Sequence, residues 1–302
     1  MRALHRVRAV VISAVLGCAL VSARAAEHPA QGLVLKVDAA HRKLVVSCAA
    51  IPGYMAAMDM PLEVRDMHML GALRPGMMIR FTLVEQGKRT AAEHIQPVMN
   101  FEAEPAEAEA LTGLRRATAQ HGAQVEVGHA VPNFTLTDQA GQRVGLSSLR
   151  GKVVVLTFGY SRCPNPNYCF RLSNNLRQVA RRFHRDLGTR LVLITIAIDP
   201  EVDHGAGLSA YAQRFQADPR SWHFLTGPLP EIHRVAGMFG MDFWESEGLL
   251  THTLHTVIIG ADGRLAANLE GNAFSARQLG DLVAETMREP AGVQAHGGAP
   301  LQ

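Results

Sequence analysis

Cys163 and Cys169 frame the segment Pro164-Asn165-Pro166-Asn167-Tyr168, directly after the apolar run 153–158 and just before an amphipathic stretch that begins near Leu172. A cysteine between a strand end and a helix start feels the positive end of the helix dipole, which lowers its pKa. The thiolate so favoured is both a redox nucleophile and a metal ligand. Two prolines and two asparagines make the intervening segment a loop. On one helix, residues six apart would lie about 9 Å apart along the axis, beyond the roughly 7 Å Cα separation that a disulfide tolerates. A buried structural disulfide is the plainer alternative. Downstream, Thr251-His252-Thr253-Leu254-His255-Thr256 offers two imidazoles. Taken as one strand, its residues three apart face opposite sides, so one histidine turns toward the cysteines.

A second cluster lies upstream. Seven of the twelve methionines fall between Met55 and Met78. Methionine is a flexible core filler without strand preference, so a loosely packed core is the bland explanation. The local pattern is tighter: Cys48 is followed by Ile51-Pro52-Gly53-Tyr54-Met55 and then Met58-Asp59-Met60. Met58 and Met60 share one face of a strand. A thiolate with thioethers is a soft donor set, which selects Cu(I) over zinc or iron.

These residues need elements to position them. Around Cys48, short strand-like runs at 32–38, 43–48, 61–64 and 78–84 are separated by turn residues, which predicts a small antiparallel barrel of OB-like type over residues 31–97. Residues 98–126 are acidic and alanine-rich and read as a linker. From 127 to 290, strand and helix patterns alternate. The runs 153–158 and 191–198 are continuously apolar, as buried parallel strands are. Leu172, Leu176, Val179 and Phe183 line one helix face. Asp262-Gly263 marks a hairpin, and Ser275 with Gln278 forms a capping box before a last helix. This order predicts a thioredoxin-like α/β layer fold. Residues 291–302 read as a flexible tail.

The two segments resemble two known families. Ile51-Pro52-Gly53 with Met58-Asp59-Met60 resembles the CusF-like periplasmic copper-binding domain. That family commonly has a histidine where this chain has Cys48, and its copper-capping tryptophan has no match here. The resemblance implies Cu(I) held by Cys48, Met58 and Met60, with Met55 as a further donor. Residues 127–290 resemble the SCO/SenC family of thioredoxin-fold copper proteins. The resemblance lies in Pro132-Asn133-Phe134, Gly151-Lys152, the Cys-Pro loop, Ile198-Asp199-Pro200 and the stretch from the histidines to Asp262-Gly263. In that family two cysteines and one histidine bind copper, the histidine usually eleven residues before the hairpin glycine. The resemblance therefore implies Cys163, Cys169 and His252 as ligands of Cu(I), and of Cu(II) as well, with Asp199 nearby. The family usually has three residues between its cysteines; this chain has five.

Residues 1–8 are basic, 9–22 apolar, and Ala23-Arg24-Ala25 is a small-x-small cleavage pattern. Residues 1–25 thus read as a secretory signal peptide, with export to the periplasm. A retained N-terminal anchor, or lipidation at Cys18, is the minority alternative. The formal charge of +3 rests on four arginines in that leader; the remainder has 26 basic against 27 acidic residues. A near-neutral chain gives no reason to expect nucleic acid, and no apolar run of spanning length follows the leader. The expectation is a periplasmic copper chaperone, redox-gated by the cysteine pair. Its implied partner is a copper-accepting apoprotein such as a cytochrome c oxidase subunit, and the linker would let the barrel approach the dithiol. A thiol-disulfide oxidoreductase acting on a copper apoprotein, and copper tolerance by sequestration, are the alternatives.

Overall fold

The computed structural model describes residues 26–86, 89–98, 124–246 and 248–288. The expected leader at 1–25 with Cys18, nearly all of the expected linker and the tail at 291–302 lie outside the described residues.

The first unit is a closed barrel. Its strands are β1 (Ala26–Asp38), β2 (Lys43–Cys48), β3 (Met58–Val64), β4 (Met78–Gln86) and β5 (Arg89–Pro97), arranged β1-β2-β3-β5-β4. Closure removes the edges that short strands would otherwise expose. Val34, Leu44, Val46, Leu62, Ile79 and Leu83 fill its core. Three features depart from the expectation. Strand β1 starts at Ala26, where it pairs with Glu85 of β4. Strands β3 and β5 pair in parallel, so the barrel is not wholly antiparallel. A short helix, α1 (Met67–Ala72), closes one end, capped by the Asp66 carboxylate, which accepts from the His68 and Met69 amides. Six residues carry too little periodicity to announce a helix.

The second unit is a seven-stranded sheet between helices. Its strands are β6 (Thr135–Asp138), β7 (Arg143–Gly145), β8 (Val153–Gly159), β9 (Leu191–Ala197), β10 (Trp222–Thr226), β13 (His255–Ile259) and β14 (Leu265–Glu270), in the order β14-β13-β8-β9-β10-β6-β7. A separate hairpin, β11 (Phe243–Ser246) and β12 (Leu249–His252), precedes β13. Strands β8 and β9 are parallel and every residue of both is buried, as two-sided helix cover requires. The helices are α2 (Arg171–Arg182), α3 (Gly205–Arg214), α4 (Leu229–Gly237) and α5 (Ala276–Arg288). Leu172, Leu176 and Val179 of α2 are fully buried, the face expected from their spacing. The expected capping box is present: the Ser275 hydroxyl accepts from the Gln278 backbone amide and the Gln278 side-chain Oε1 accepts from the Ser275 backbone amide.

The fold is therefore a small closed barrel followed by a thioredoxin-like α/β unit. The two are packed together, with Leu33, Leu35 and Met78 of the barrel in one cluster with Leu269, Leu282 and Val283. No helix among the described residues is long and apolar enough to cross a membrane.

Candidate metal centre

Strand β8 ends at Gly159, and the chain then turns through Tyr160-Ser161-Arg162 to Cys163. The next segment is a single irregular turn, Pro166–Phe170, in which Tyr168 leaves helical geometry (φ −100°, ψ −105°). That distortion lets Cys169 face back toward Cys163 before α2 begins. Both thiols are free; Cys163 is partly exposed and Cys169 buried.

The Cys163 and Cys169 sulfurs and a ring nitrogen of His252 lie within 4.8 Å of one another. Cys169 Sγ is 3.3 Å from His252 Nε2. His252 Nδ1 lies 2.8 Å from the Thr253 carbonyl oxygen. Because that carbonyl can only accept, Nδ1 carries the proton and Nε2 presents its lone pair to the sulfurs. Support of the far ring nitrogen is how ligand imidazoles are oriented in metal sites. Tyr160 packs edge-on against the imidazole at 5.9 Å between centroids, and its hydroxyl donates to the Leu250 carbonyl. The ring is thus held on two sides.

His255 behaves differently. Its Nδ1 is 2.9 Å from the Asn268 side-chain oxygen, which ties it across to β14. The separation of the two histidines does not come from alternation along one strand. His252 ends β12 and His255 begins β13, so the expectation of one continuous strand, which left open which histidine faces the cysteines, does not hold.

The two thiols are unequal. A hydrogen bond from the Cys169 thiol, with the backbone amides of Cys169 and Asn165, holds Cys163 well below the usual thiol value, at about 4. Cys169 is pushed well above the usual value, because it donates that hydrogen bond and is buried. One thiolate is therefore preformed and one thiol is held in reserve. Burial and the nearby sulfurs push Tyr160 up to about 12, so it stays a neutral donor. Asp199 is buried and forms an ion pair at 2.7 Å with Arg162, the residue before Cys163, and is not among the donors. Space is tight behind the sulfurs: a Cβ on Gly159 would lie 2.9 Å from the Tyr211 hydroxyl and 3.3 Å from Cys169 Cβ. Arg162 and Tyr160 were not singled out from sequence; their place at the strand end beside Cys163 was the available signal.

Two sulfurs and an imidazole nitrogen make a soft-to-borderline set suited to Cu(I) and able to hold Cu(II). A metal would draw the donors in by well under 2 Å to reach bonding distances of roughly 2.0–2.3 Å.

The barrel donors gather at one rim. Cys48 ends β2 directly opposite Met58 on β3, and Met60 is opposite Val46. Residues facing each other in an antiparallel pair project to the same side. Cys48 is fully buried, Met58 is 51 % exposed, and Met55 and Met60 pack against the barrel core. Met55 closes the β2–β3 turn, exchanging backbone hydrogen bonds with Ile51. At the same turn the Tyr54 ring stacks on His28 at 3.7 Å. Burial pushes the Cys48 thiol up to about 12, so a soft cation would have to displace its proton.

Residues 122–288 match the family model described as SCO1/SenC, and residues 27–97 match that described as copper binding periplasmic protein CusF. The human mitochondrial protein SCO2 homolog is 29 % identical over 189 residues, covering 60 % of this chain and 67 % of that protein. The mouse mitochondrial protein SCO2 homolog is 29 % identical over 154 residues, 49 % of this chain, and the chain spans 58 % of its length. Among solved structures, Bradyrhizobium japonicum ScoI with copper bound is 25 % identical, with a TM-score of 0.44 over 53 % of this chain and 99 % of that one.

Proposed function

Since the chain belongs to the SCO1/SenC family and carries an N-terminal CusF-like domain, we propose that it is a periplasmic copper chaperone, binding copper through Cys163, Cys169 and His252 and delivering it to a respiratory copper centre. The observation that carries this reading is the convergence of two sulfurs and one imidazole nitrogen within 4.8 Å, with the imidazole lone pair aimed at Cys169. Copper is the cargo, and each residue has a distinct task. Cys163, already a thiolate, makes the first bond without losing a proton. Cys169 then gives up its proton as the metal arrives, since a cation beside a thiol lowers its pKa outright. His252 completes the set as a neutral donor.

Oxidation of the Cys163 thiolate and the Cys169 thiol to a disulfide would consume both sulfur ligands, passing two electrons and the one Cys169 proton to an acceptor, so the thiol state gates loading. Release to a recipient proceeds by ligand exchange, the partly exposed Cys163 being the point at which an incoming donor can attack. The recipient we propose is a subunit of cytochrome c oxidase. Anaerobic copper titration of the reduced full chain tests the assignment. One equivalent should be lost in Cys163→Ser; unchanged stoichiometry in that variant would remove the site.

One observation favours a second reading. A partly exposed thiolate with a buried resolving thiol beside it is also the arrangement of a thiol-disulfide oxidoreductase. The imidazole supports the copper reading, because its nitrogen, 3.3 Å from the buried sulfur, adds a third donor that dithiol exchange does not require. The barrel's Cys48, Met55, Met58 and Met60 are proposed as a separate Cu(I) site that feeds the first.

A further inference from the structure

The barrel does not rest on the second unit by apolar contact alone. Asp281 of α5 is buried and accepts from three groups: Ser47 Oγ of β2 at 2.8 Å, Arg182 at 2.7 Å and Arg277 at 2.7 Å. Arg277 also donates to the Cys48 carbonyl at 2.6 Å and reaches Asp59, between Met58 and Met60, at 3.5 Å. The Gln278 side-chain amide donates to the Ser47 carbonyl at 3.0 Å. A buried carboxylate that accepts from three groups on two units fixes a geometry that loose contact does not.

The contacts also fix a direction. Cys48 and Asp59 meet the first turn of α5, whereas Lys36, toward the other end of β1, pairs with Glu285 near the helix C-terminus at 3.7 Å. The lead-in to α5 belongs to the dithiol end, because the Asn272 side-chain amide donates to the Asn167 carbonyl, inside the loop between Cys163 and Cys169, at 2.7 Å. The barrel rim that carries Cys48 and Met58 therefore opens at the same end as the dithiol. Apolar packing agrees: Leu33 and Leu35 lie on the outer face of β1 and are buried, while Val34 between them fills the barrel. At Gly76, φ is +91° and a Cβ would approach Ala267 and Leu269 to 3.2 Å, so the turn before β4 is fitted closely to β14.

We propose that the barrel is a permanently docked, oriented partner of the thioredoxin-like unit, locked by Asp281, Arg277, Gln278 and Ser47, so that both sulfur-rich groups are presented together at one end of the molecule. This deepens the copper-relay reading and rests on it for its purpose, but the docking stands independently of copper. It replaces an approach mediated by the linker with a fixed arrangement. A protein seated at that end then meets both groups without domain movement.

Residual dipolar couplings of the reduced, copper-free full chain test it. Amides of both units should fit one alignment tensor in the docked orientation. Ser47→Asp replaces a donor to Asp281 with a further carboxylate, beside the Asp59 that already faces it, while leaving the barrel interior untouched, since Ser47 is on the outer face; the couplings should then require two tensors. Adding Asp281→Asn should restore one. Arg277→Glu makes the same test from the helix surface and should also separate the tensors. Two tensors in the wild-type protein, or one undisturbed tensor in both Ser47→Asp and Arg277→Glu, would overturn the proposal. Neither result would touch the Cys163, Cys169 and His252 assignment, which copper titration decides separately.

Discussion

The inequality of the two thiols has a quantitative consequence for alkylation. An ordinary thiol with pKa 9.0 is ionised to about one part in a thousand at pH 6. Cys163, held at about 4, is essentially all thiolate there. A less basic thiolate is also a poorer nucleophile, with a Brønsted slope of about 0.4–0.5, so five orders of acidity lower its intrinsic rate by roughly 100- to 300-fold. At pH 6 Cys163 should react roughly 3- to 10-fold faster with iodoacetamide than a free thiol. At pH 8, where the free thiol is about a tenth ionised, it should react roughly 10- to 30-fold slower. Its own rate should be nearly flat from pH 5 to 8. Mass spectrometry of the reduced protein, with the labelled peptide identified, reads this directly. Cys169 and Cys48 should stay unlabelled in the folded chain. Cys169→Ala removes the largest contribution to the low value and should turn the flat profile into a rising one. A wild-type rate that climbs about tenfold per pH unit across this range would refute the assignment of the thiolate to Cys163.

Other outcomes follow from the same geometry. The depressed Cys163 value makes stability pH-dependent: its contribution is full above the unfolded value of 9.0 and fades as pH falls toward about 4. Denaturant midpoints of the reduced protein should thus fall between pH 8 and 5 by more than those of Cys163→Ala. His252→Ala should weaken copper binding by at least the roughly 10- to 100-fold that follows loss of a ligand's support and remove most Cu(II) absorption, while His255→Ala keeps it; the reverse result would reassign the ligand. Gly159→Ala should cost about 1–3 kcal/mol in denaturant unfolding, from overpacking against Tyr211 and Cys169; full wild-type stability would show that the sulfurs are not closely backed. In a Cys163→Ser/Cys169→Ser full chain, Cys48→Ala should abolish Cu(I) binding that weakens as pH falls, and unchanged affinity would leave Cys48 as a core residue only.

Much of this was legible in the chain because the signals are local. Two continuous apolar runs announced β8 and β9, the spacing from Leu172 to Val179 announced α2, and Ser275 with Gln278 marked the start of α5. The Cys-Pro loop between a strand and a helix placed the sulfurs. What escaped notice depends on partners distant in sequence. Leu33-Val34-Leu35 was read as one alternating barrel strand, yet three consecutive buried positions mean that both faces are covered, here by the barrel core and by the second unit. The break between His252 and His255 carries no glycine or proline, so it read as one strand. Parallel pairing of β3 with β5 is set by barrel closure, which no local pattern encodes. The network around Asp281 joins residues more than 200 positions apart.

X-ray absorption at the copper edge on the reduced full chain carrying Cys48→Ala, loaded with one equivalent under anaerobic conditions, addresses the copper site itself. The account predicts a shell of two sulfurs and one imidazole nitrogen, with the imidazole scattering lost in His252→Ala and a sulfur lost in Cys163→Ser. A shell without sulfur, or one unchanged by both substitutions, would contradict it.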